Sequence, residues 1–325
     1  MSFLLRLTRD PMLRLLAIAI LLAAFLPASG AAREIVQGAA YAAIFLLFLV
    51  NGIRVARSDI LAGLQDWRFF VPLTVWVFLI MGGMGVILAQ TLSAVLPGLV
   101  IIGFIFLGVL PSTVQSATSY SSLAGGNVAL SVIAAALLTI VGIIATPPLF
   151  IAFGGSGAGS LGWDAFRNIA VLLLLPLCIG LLVQNRFRPF VMQYKDAATW
   201  LDRIVIALAV YVAMAGAVSE GLWQRVTPGE WLILVATSVL YLAFAHYGAW
   251  ILSGALSRSP ADRIAFTFAG AQKSAAIGAP LAAILFPPGA AGFIIVPLLL
   301  YHLMQLILAV PLANHLRSRF APEPA

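Results

Sequence analysis

Long apolar segments separated by short polar ones run through the whole chain of 325 residues. Residues 69–163, between Arg68 and Asp164, contain no Lys, Arg, Asp or Glu. That stretch is long enough for three membrane-spanning helices of about 20 residues each. A window of about 19 residues moved along the chain predicts ten such spans. In chain order they lie near residues 12–28, 35–53, 69–90, 96–122, 127–153, 165–185, 200–220, 230–254, 262–286 and 290–316.

The composition indicates that a lipid bilayer, and not water, is the solvent of most of the chain. Hydrophobic residues make up 62% of it and charged residues 9%, and the mean hydropathy is +1.08. Soluble domains carry about 25% charged residues, and no globular core hides so much apolar surface from water. The sequence therefore predicts an all-α integral membrane protein that crosses the membrane many times. Its one cysteine, Cys178, can form no internal disulfide.

The positive charges indicate orientation in a membrane, although a net charge of +7 in a soluble protein would suggest a nucleic-acid partner. Of the 18 Lys and Arg residues, fourteen fall on one side of the predicted spans, and only Arg33, Arg167 and Arg225 fall on the other. The remaining cation, Lys273, belongs to neither side. By the positive-inside rule, both termini are predicted to lie in the cytoplasm, at an inner or plasma membrane.

The first span has two interpretations. It resembles a cleaved signal peptide, because Arg6, Arg9 and Arg14 precede an apolar run and small residues follow Pro27. Alternatively, it is a retained transmembrane helix. We favour the retained helix, because it completes the internal symmetry of the ten spans.

The ten spans divide into two sets of five, at residues 1–160 and 161–325, within one membrane domain. Landmarks recur in the two halves: Trp67 and Trp231 are 164 residues apart, and Gln115 and Gln272 are 157 apart. A repeat with an odd number of helices is inverted in its second copy, which is a plan common among secondary transporters. The sequence thus predicts two inverted five-helix repeats joined by the glycine-rich stretch 154–162. In that plan the binding site lies where two broken helices meet near the bilayer midplane.

Spans four and nine are the predicted broken helices. In span four, Pro111 lacks a backbone donor and is followed by a run of hydroxyl and amide side chains, so the helix is expected to unwind there. In span nine, Gln272, Lys273 and Ser274 interrupt an apolar helix. Lys273 follows Asp262 by 11 residues, which places it about 16 Å deep in a core about 30 Å thick.

A lysine at the membrane centre is costly, by at least about 2.5–3.5 kcal/mol. The depth also exceeds what the side chain can reach by snorkelling. One interpretation of Lys273 is a substrate or proton site. The other is a structural lysine that is fixed to carbonyls freed by the broken helices.

The motifs of these two broken helices resemble those of the bile acid:sodium symporter family, and in particular its SBF-like branch. They are Pro111-Ser112-Thr113-Val114-Gln115-Ser116, Gly126-Asn127-Val128-Ala129-Leu130-Ser131, and Ala271-Gln272-Lys273-Ser274 with Gly278, Pro280 and Leu281 behind it. The resemblance implies two inverted five-helix repeats, with a panel of spans 1, 2, 6 and 7 and a core of spans 3 to 5 and 8 to 10. It also implies that spans four and nine cross at their unwound centres.

The resemblance implies a sodium site near Gln115, Ser131 and Gln272, but with altered ligands. The family's sodium-binding glutamate of span nine corresponds to Phe268, and Lys273 replaces an asparagine. The threonine expected four residues after Ser131 is an alanine. Lys273 could therefore stand in for a sodium charge. It would either neutralise an anionic substrate directly or carry a proton.

We therefore expect a secondary carrier that moves a small organic anion or amphipathic acid by alternating access, with Na⁺ or H⁺ as its coupling ion. No organic cofactor, enzymatic activity or nucleic-acid partner is expected. An intramembrane hydrolase is disfavoured, because the aspartates map to the ends of spans or to loops. A non-transporting membrane regulator built on a transporter scaffold is the alternative function. The expected substrate- and ion-binding residues are Thr113, Gln115, Ser116 and Thr118 in span four, Asn127 and Ser131 in span five, and Gln272, Lys273 and Ser274 in span nine.

Overall fold

The computed structural model describes residues 11–155, 167–168 and 170–320, and within this part of the chain the regular secondary structure is helical, with no strand. One of the helices, Leu222–Arg225, is a single turn. The other helices are α1 Pro11–Phe25, α2 Gly30–Arg54, α3 Arg57–Gln65, α4 Trp67–Thr91, α5 Gly98–Gly108, α6 Val114–Leu123, α7 Val128–Ala152, α8 Ala170–Gln193, α9 Lys195–Ser219, α10 Pro228–Ala255, α11 Pro260–Ala271, α12 Ala275–Leu285 and α13 Pro288–Phe320.

Seven of these helices are long and apolar enough to cross a membrane, namely α2, α4, α7, α8, α9, α10 and α13. Three more, α1, α5 and α12, are apolar but shorter. The prediction of an all-helical, multi-pass membrane protein is therefore confirmed. Predicted spans four and nine each consist of two helices, α5 with α6 and α11 with α12. The arrangement of ten spans as inverted repeats stays a prediction. The predicted boundary between residues 160 and 161 lies outside the described residues, as do the arginines at positions 6 and 9.

Polar residues begin several helices, because the first amides of a helix have no partner within it. At the start of α10, the Thr227 hydroxyl accepts a hydrogen bond from the Glu230 amide at 3.4 Å, and the Glu230 carboxylate accepts one from the Thr227 amide at 2.5 Å. This reciprocal arrangement is a capping box. The Ser259 hydroxyl caps α11 through a single hydrogen bond, which it accepts from the Asp262 amide at 3.2 Å.

Close backbone contact joins α2 to α8, and α1 packs along α9. A Cβ atom added to Gly52 in α2 would collide with the carbonyl oxygen of Leu177, and one added to Gly180 in α8 would collide with that of Leu49. Small residues at such crossings allow two membrane helices to approach closely. Helix α9 also contacts α12 and α13, so it joins this group of helices to the rest of the molecule.

Two ion pairs link helices at the ends where the arginines collect. Arg54 at the end of α2 lies 2.7 Å from Asp202 in α9. Arg258, which follows α10, donates to both carboxylate oxygens of Asp66 at 2.7 and 3.0 Å. Asp66 directly precedes α4, so the second pair places the start of α4 beside the turn between α10 and α11.

The contact between α2 and α8 gives a prediction for stability. Because a methyl group at position 52 must displace backbone atoms of α8, Gly52→Ala should lower the free energy of unfolding by about 1–3 kcal/mol. The midpoint temperature of thermal unfolding in detergent micelles measures this change, and we expect it to fall.

The matched control is Gly38→Ala in the same helix, since no atom lies within 4 Å of a Cβ atom added there. Because alanine favours helix more than glycine, this variant should match or exceed the parent in stability. Equal losses in the two variants would contradict the close contact.

Candidate functional site

The two interruptions predicted in spans four and nine lie side by side. Residues 109–113 separate α5 from α6, and residues 272–274 separate α11 from α12. Ser112 and Lys273 form an isolated antiparallel bridge between the two segments. The Ser274 amide also donates a hydrogen bond to the Pro111 carbonyl at 3.0 Å. The unwound centres of both broken helices are therefore in direct contact.

Neighbouring helices stabilise the first interruption. Thr146 in α7 donates its hydroxyl hydrogen to the carbonyl of Val109 at 2.7 Å. The ring of Pro111 packs against Gly142, where an added Cβ atom would collide with the ring. On one face of α7, the hydroxyl of Thr146 and the small size of Gly142 thus accommodate backbone that is not helical. Such backbone is tolerated at membrane depth only where protein or a cavity satisfies it.

The side chain of Lys273 is wholly buried and donates three hydrogen bonds to backbone carbonyls. Its Nζ lies 2.8 Å from the carbonyl oxygen of Val77, 2.8 Å from that of Gly108 and 2.7 Å from that of Leu110. An ammonium group has three hydrogens, so all three are used. Neither ion pair found among the described residues involves Lys273. In this conformation carbonyl dipoles, and no carboxylate, surround its charge.

Two of the three carbonyls are available because they lie where α5 ends, and the third belongs to a helix that departs locally from the α-helical pattern. Gly108 is the last residue of α5 and Leu110 lies in the interruption, so neither carbonyl has a normal partner one turn ahead. Val77 belongs to a π-helical stretch of α4, Val75–Ile80. Such stretches often occur at functional sites. The structural interpretation of Lys273, a lysine fixed to freed carbonyls, describes its contacts in this conformation.

Gln305 in α13, which is not among the residues expected from the sequence, holds the backbone of Lys273 from the other side. Its Oε1 accepts a hydrogen bond from the Lys273 amide at 2.8 Å, and its Nε2 donates to the Lys273 carbonyl at 3.0 Å. The same Nε2 lies 2.8 Å from Nδ1 of His302. Gln305 is wholly buried. A glutamine three residues after a histidine, within an otherwise apolar span, was the available signal.

Gln272 contacts His246 in α10. Its Nε2 lies 3.4 Å from Nε2 of His246, and the Nδ1 of the same ring lies 3.0 Å from the Leu242 carbonyl. A carbonyl oxygen can only accept, so Nδ1 is the donor to Leu242, while the direction of the contact between Nε2 and the Gln272 amide depends on the protonation of the ring. The Oε1 atom of Gln272 is buried without a hydrogen-bond partner. The ring of Phe268 packs edge-on against His246, with 5.8 Å between ring centroids.

Several expected site residues carry buried hydroxyl oxygens that have no hydrogen-bond partner among the described residues. They are Ser116 and Thr118 in α6 and Ser131 in α7, and Ser112 in the interruption shares this property. Buried polar atoms are usually paired, so each of these oxygens is available to an ion, a water molecule or a polar substrate. The side chain of Thr113 is half-buried and that of Gln115 is exposed.

Asn127 and Ser274 are helix caps. The Asn127 Oδ1 accepts from the Leu130 amide at 3.0 Å and caps α7, while its Nδ2 donates to Asp262 at 2.9 Å. The Ser274 hydroxyl accepts from the Ile277 amide at 3.2 Å and caps α12. In this conformation both side chains stabilise helix ends.

Oxygen atoms dominate the set of groups that could bind an ion. No cluster of three His, Cys, Asp or Glu side chains suited to a metal occurs in the described ranges. Hydroxyl, amide and carbonyl oxygens suit a hard monovalent cation or the polar groups of an organic substrate. The arrangement is therefore suited to binding a ligand.

Known proteins are similar to this chain over most of its length. The SBF-like CPA transporter family (DUF4137) matches residues 10–318. The chain is 34% identical over 311 residues to YfeH of Escherichia coli K12, covering 95% of this chain and 93% of YfeH. It is 33% identical over 304 residues to PA2026 of Pseudomonas aeruginosa, covering 92% and 90%. It is 24% identical over 294 residues to the sodium/bile acid cotransporter 7 of Mus musculus, covering 86% and 83%. The chain belongs to the SBF-like CPA transporter family.

Proposed function

We propose that the chain is a secondary carrier that moves an organic anion or amphipathic acid by alternating access around the contact between the two broken helices. The observation that carries this proposal is the buried ammonium of Lys273, held by three backbone carbonyls where the interruptions meet. A fixed positive charge at that depth attracts an anion. The mouse relative is named as a sodium/bile acid cotransporter, which supports an amphipathic acid as the substrate class.

In the proposed carrier, Lys273 takes the place of a sodium charge. Carbonyl oxygens at 2.7–2.8 Å from Nζ form a small polar cage of the kind that holds a desolvated cation. Three donated bonds use all three hydrogens of a charged ammonium, so the contacts around Nζ suit the charged form. The contacts thus favour a fixed charge over a proton carrier, because loss of a proton would leave a carbonyl unpaired.

Any sodium ion would then use oxygens other than those around Lys273. The Ser131 hydroxyl and the Gln272 Oε1 are buried and unpartnered, and Gln115 lies on the adjoining helix α6. We propose that these oxygens bind the coupling ion if that ion is Na⁺. H⁺ coupling is the alternative, with Lys273 as its carrier.

We further propose that residues 1–160 and 161–325 are the two inverted repeats. The two broken helices support this arrangement, because each is the fourth predicted span of its half. One group of helices would move as a rigid body against the other around the contact. Thr113, Ser116 and Thr118 would contact the substrate from α6 and the residues before it. Both termini would lie in the cytoplasm, in keeping with the arginine-rich ends.

Removal of the Lys273 charge tests the central proposal. Lys273→Ala should lower uptake of an amphipathic organic anion into liposomes at least about tenfold, which equals about 1.4 kcal/mol, because the fixed attraction for the anion is lost. Uptake of a radiolabelled bile acid under separate sodium and proton gradients measures both rate and ion dependence.

The matched control is Lys195→Ala, which removes the only other lysine of the chain, at the start of α9. It should transport like the parent. Gel filtration in detergent separates a transport defect from a folding defect. Transport by Lys273→Ala at the parental rate, with the same ion dependence, would refute the proposed role.

The sodium proposal has a separate test. If Ser131 supplies a sodium ligand, Ser131→Ala should raise the sodium concentration for half-maximal uptake about tenfold, as expected for the loss of about 1.4 kcal/mol of binding. Ser119→Ala, which removes an exposed hydroxyl from α6, should leave this concentration unchanged. Uptake by the parent that responds to a proton gradient alone would count against a sodium site.

A further inference from the structure

An open groove of about 410 Å³ lies between α10, α11 and α13. Its apolar walls include Leu242, Ala243 and Tyr247 of α10 and Leu308, Leu312 and Leu316 of α13. None of the nine expected substrate- and ion-binding residues lines it. We call it the α10–α13 groove.

The groove opens onto a surface that faces the lipid. On α10, Leu240, Tyr247 and Ile251 are 69%, 71% and 54% exposed, and their spacing places them on one face of the helix. Leu308 on α13 is 39% exposed and lines the groove itself. Large apolar side chains exposed on a membrane-spanning helix contact acyl chains. A lipid can therefore enter the groove from the side, without crossing an aqueous path.

One end of the groove is cationic. His315 and Arg319, in the last turns of α13, line this end, and the Arg319 guanidinium lies 5.6 Å from the Phe320 ring centroid. Arg263 of α11 packs on the face of Trp250, a further lining residue, at 4.0 Å from the ring centroid. No Asp or Glu is among the lining residues. This end therefore has the charge and donors to bind an anionic headgroup.

The length of the groove matches one leaflet of a bilayer. Leu308 and Arg319 are separated by 11 residues of α13, which is about 16 Å along a helix. Half of a hydrocarbon core about 30 Å thick is about 15 Å. An occupant with its charge at Arg319 would thus extend an acyl chain to the middle of the membrane. Those are the dimensions of a phospholipid in the leaflet on the arginine-rich side.

We propose that the α10–α13 groove is a binding site for an anionic phospholipid, with one acyl chain against α10 and α13 and the phosphate at Arg319 and His315. Basic pockets between membrane helices are known to bind such headgroups. A zwitterionic lipid offers the same chain and phosphate but adds a cation that Arg319 repels. Toward the membrane centre the groove reaches His246, whose ring contacts Gln272 of the second interruption. The bound chain would therefore touch a residue adjacent to the broken helix.

Fluorescence quenching of the full-length chain in vesicles tests this site. Trp250 lines the groove, and its emission is obtained as the difference between the parent and Trp250→Phe. Dibrominated phosphatidylglycerol, mixed into phosphatidylcholine vesicles, should quench Trp250 at lower mole fractions than dibrominated phosphatidylcholine. Arg319→Gln should reduce this preference about fivefold, as expected for one cation near a lipid surface.

Two further variants keep the test specific. Arg68→Gln is the matched control, because Arg68 is also exposed and stacks on a neighbouring aromatic ring, that of Trp67, at 5.6 Å. It should keep the parental preference. Ala243→Leu fills the groove and leaves Arg319 in place, so it should weaken quenching by both lipids.

Three results would overturn the proposal. The first is equal quenching by the two lipids in the parent, and the second is an equal effect of Arg319→Gln and Arg68→Gln. The third is displacement of phosphatidylglycerol by a water-soluble amphipathic acid whose uptake also depends on Arg319. That outcome would assign the groove to the transported substrate. Because the first two results are read from quenching alone, without transport, failure of the carrier proposal would leave them unaffected.

Discussion

The three hydrogen bonds from Lys273 to the carbonyls of Val77, Gly108 and Leu110 are the interaction on which the centre of the molecule depends. Two helices that are interrupted in a hydrocarbon environment expose backbone groups that no water can satisfy, at a cost of several kcal/mol for each group. Lys273 supplies three donors to carbonyls of the first interruption and of α4. Gln305 in turn satisfies the amide and carbonyl of Lys273 itself. The two interruptions are therefore satisfied partly by each other, through Lys273 and Leu110 and through Ser274 and Pro111, and partly by α4 and α13.

This mutual dependence constrains how the proposed carrier can move. Sliding α11 and α12 past α5 and α6 would break the bonds of Lys273 and the bond from Ser274 to Pro111 together. Each broken bond would leave a buried group unpaired, which costs more than the bond contributes when formed. The two broken helices are thus expected to move together as one rigid body. Larger motion is more easily accommodated where α9 meets α12 and α13, since those contacts are apolar and carry no such penalty.

The sequence predicted the helical class and the two interruptions because their causes are local. Pro111 lacks a donor, and a charge within an apolar segment is conspicuous wherever it lies. The partners of Lys273 were not predictable, because every residue has a carbonyl and only tertiary packing selects Val77. Asn127 and Ser274 are ambiguous in the sequence for a different reason. Both cap helices in the structure, and their ligand-binding role stays a prediction, since the side chains that satisfy a helix end are the same kinds that bind ions.

The saturation of Lys273 also determines what the other polar side chains must contribute in the proposed carrier. An ammonium whose three hydrogens are all donated to carbonyls attracts an anion through its electric field, but it offers no hydrogen bond to direct that anion. Directional contacts must then come from side chains that are not already committed. In the proposed carrier, the unpartnered hydroxyls of Ser116, Thr118 and Ser131 would meet this requirement, because a hydroxyl donates to an anion and accepts from a cation with equal ease. Attraction and selectivity would then be carried by different residues.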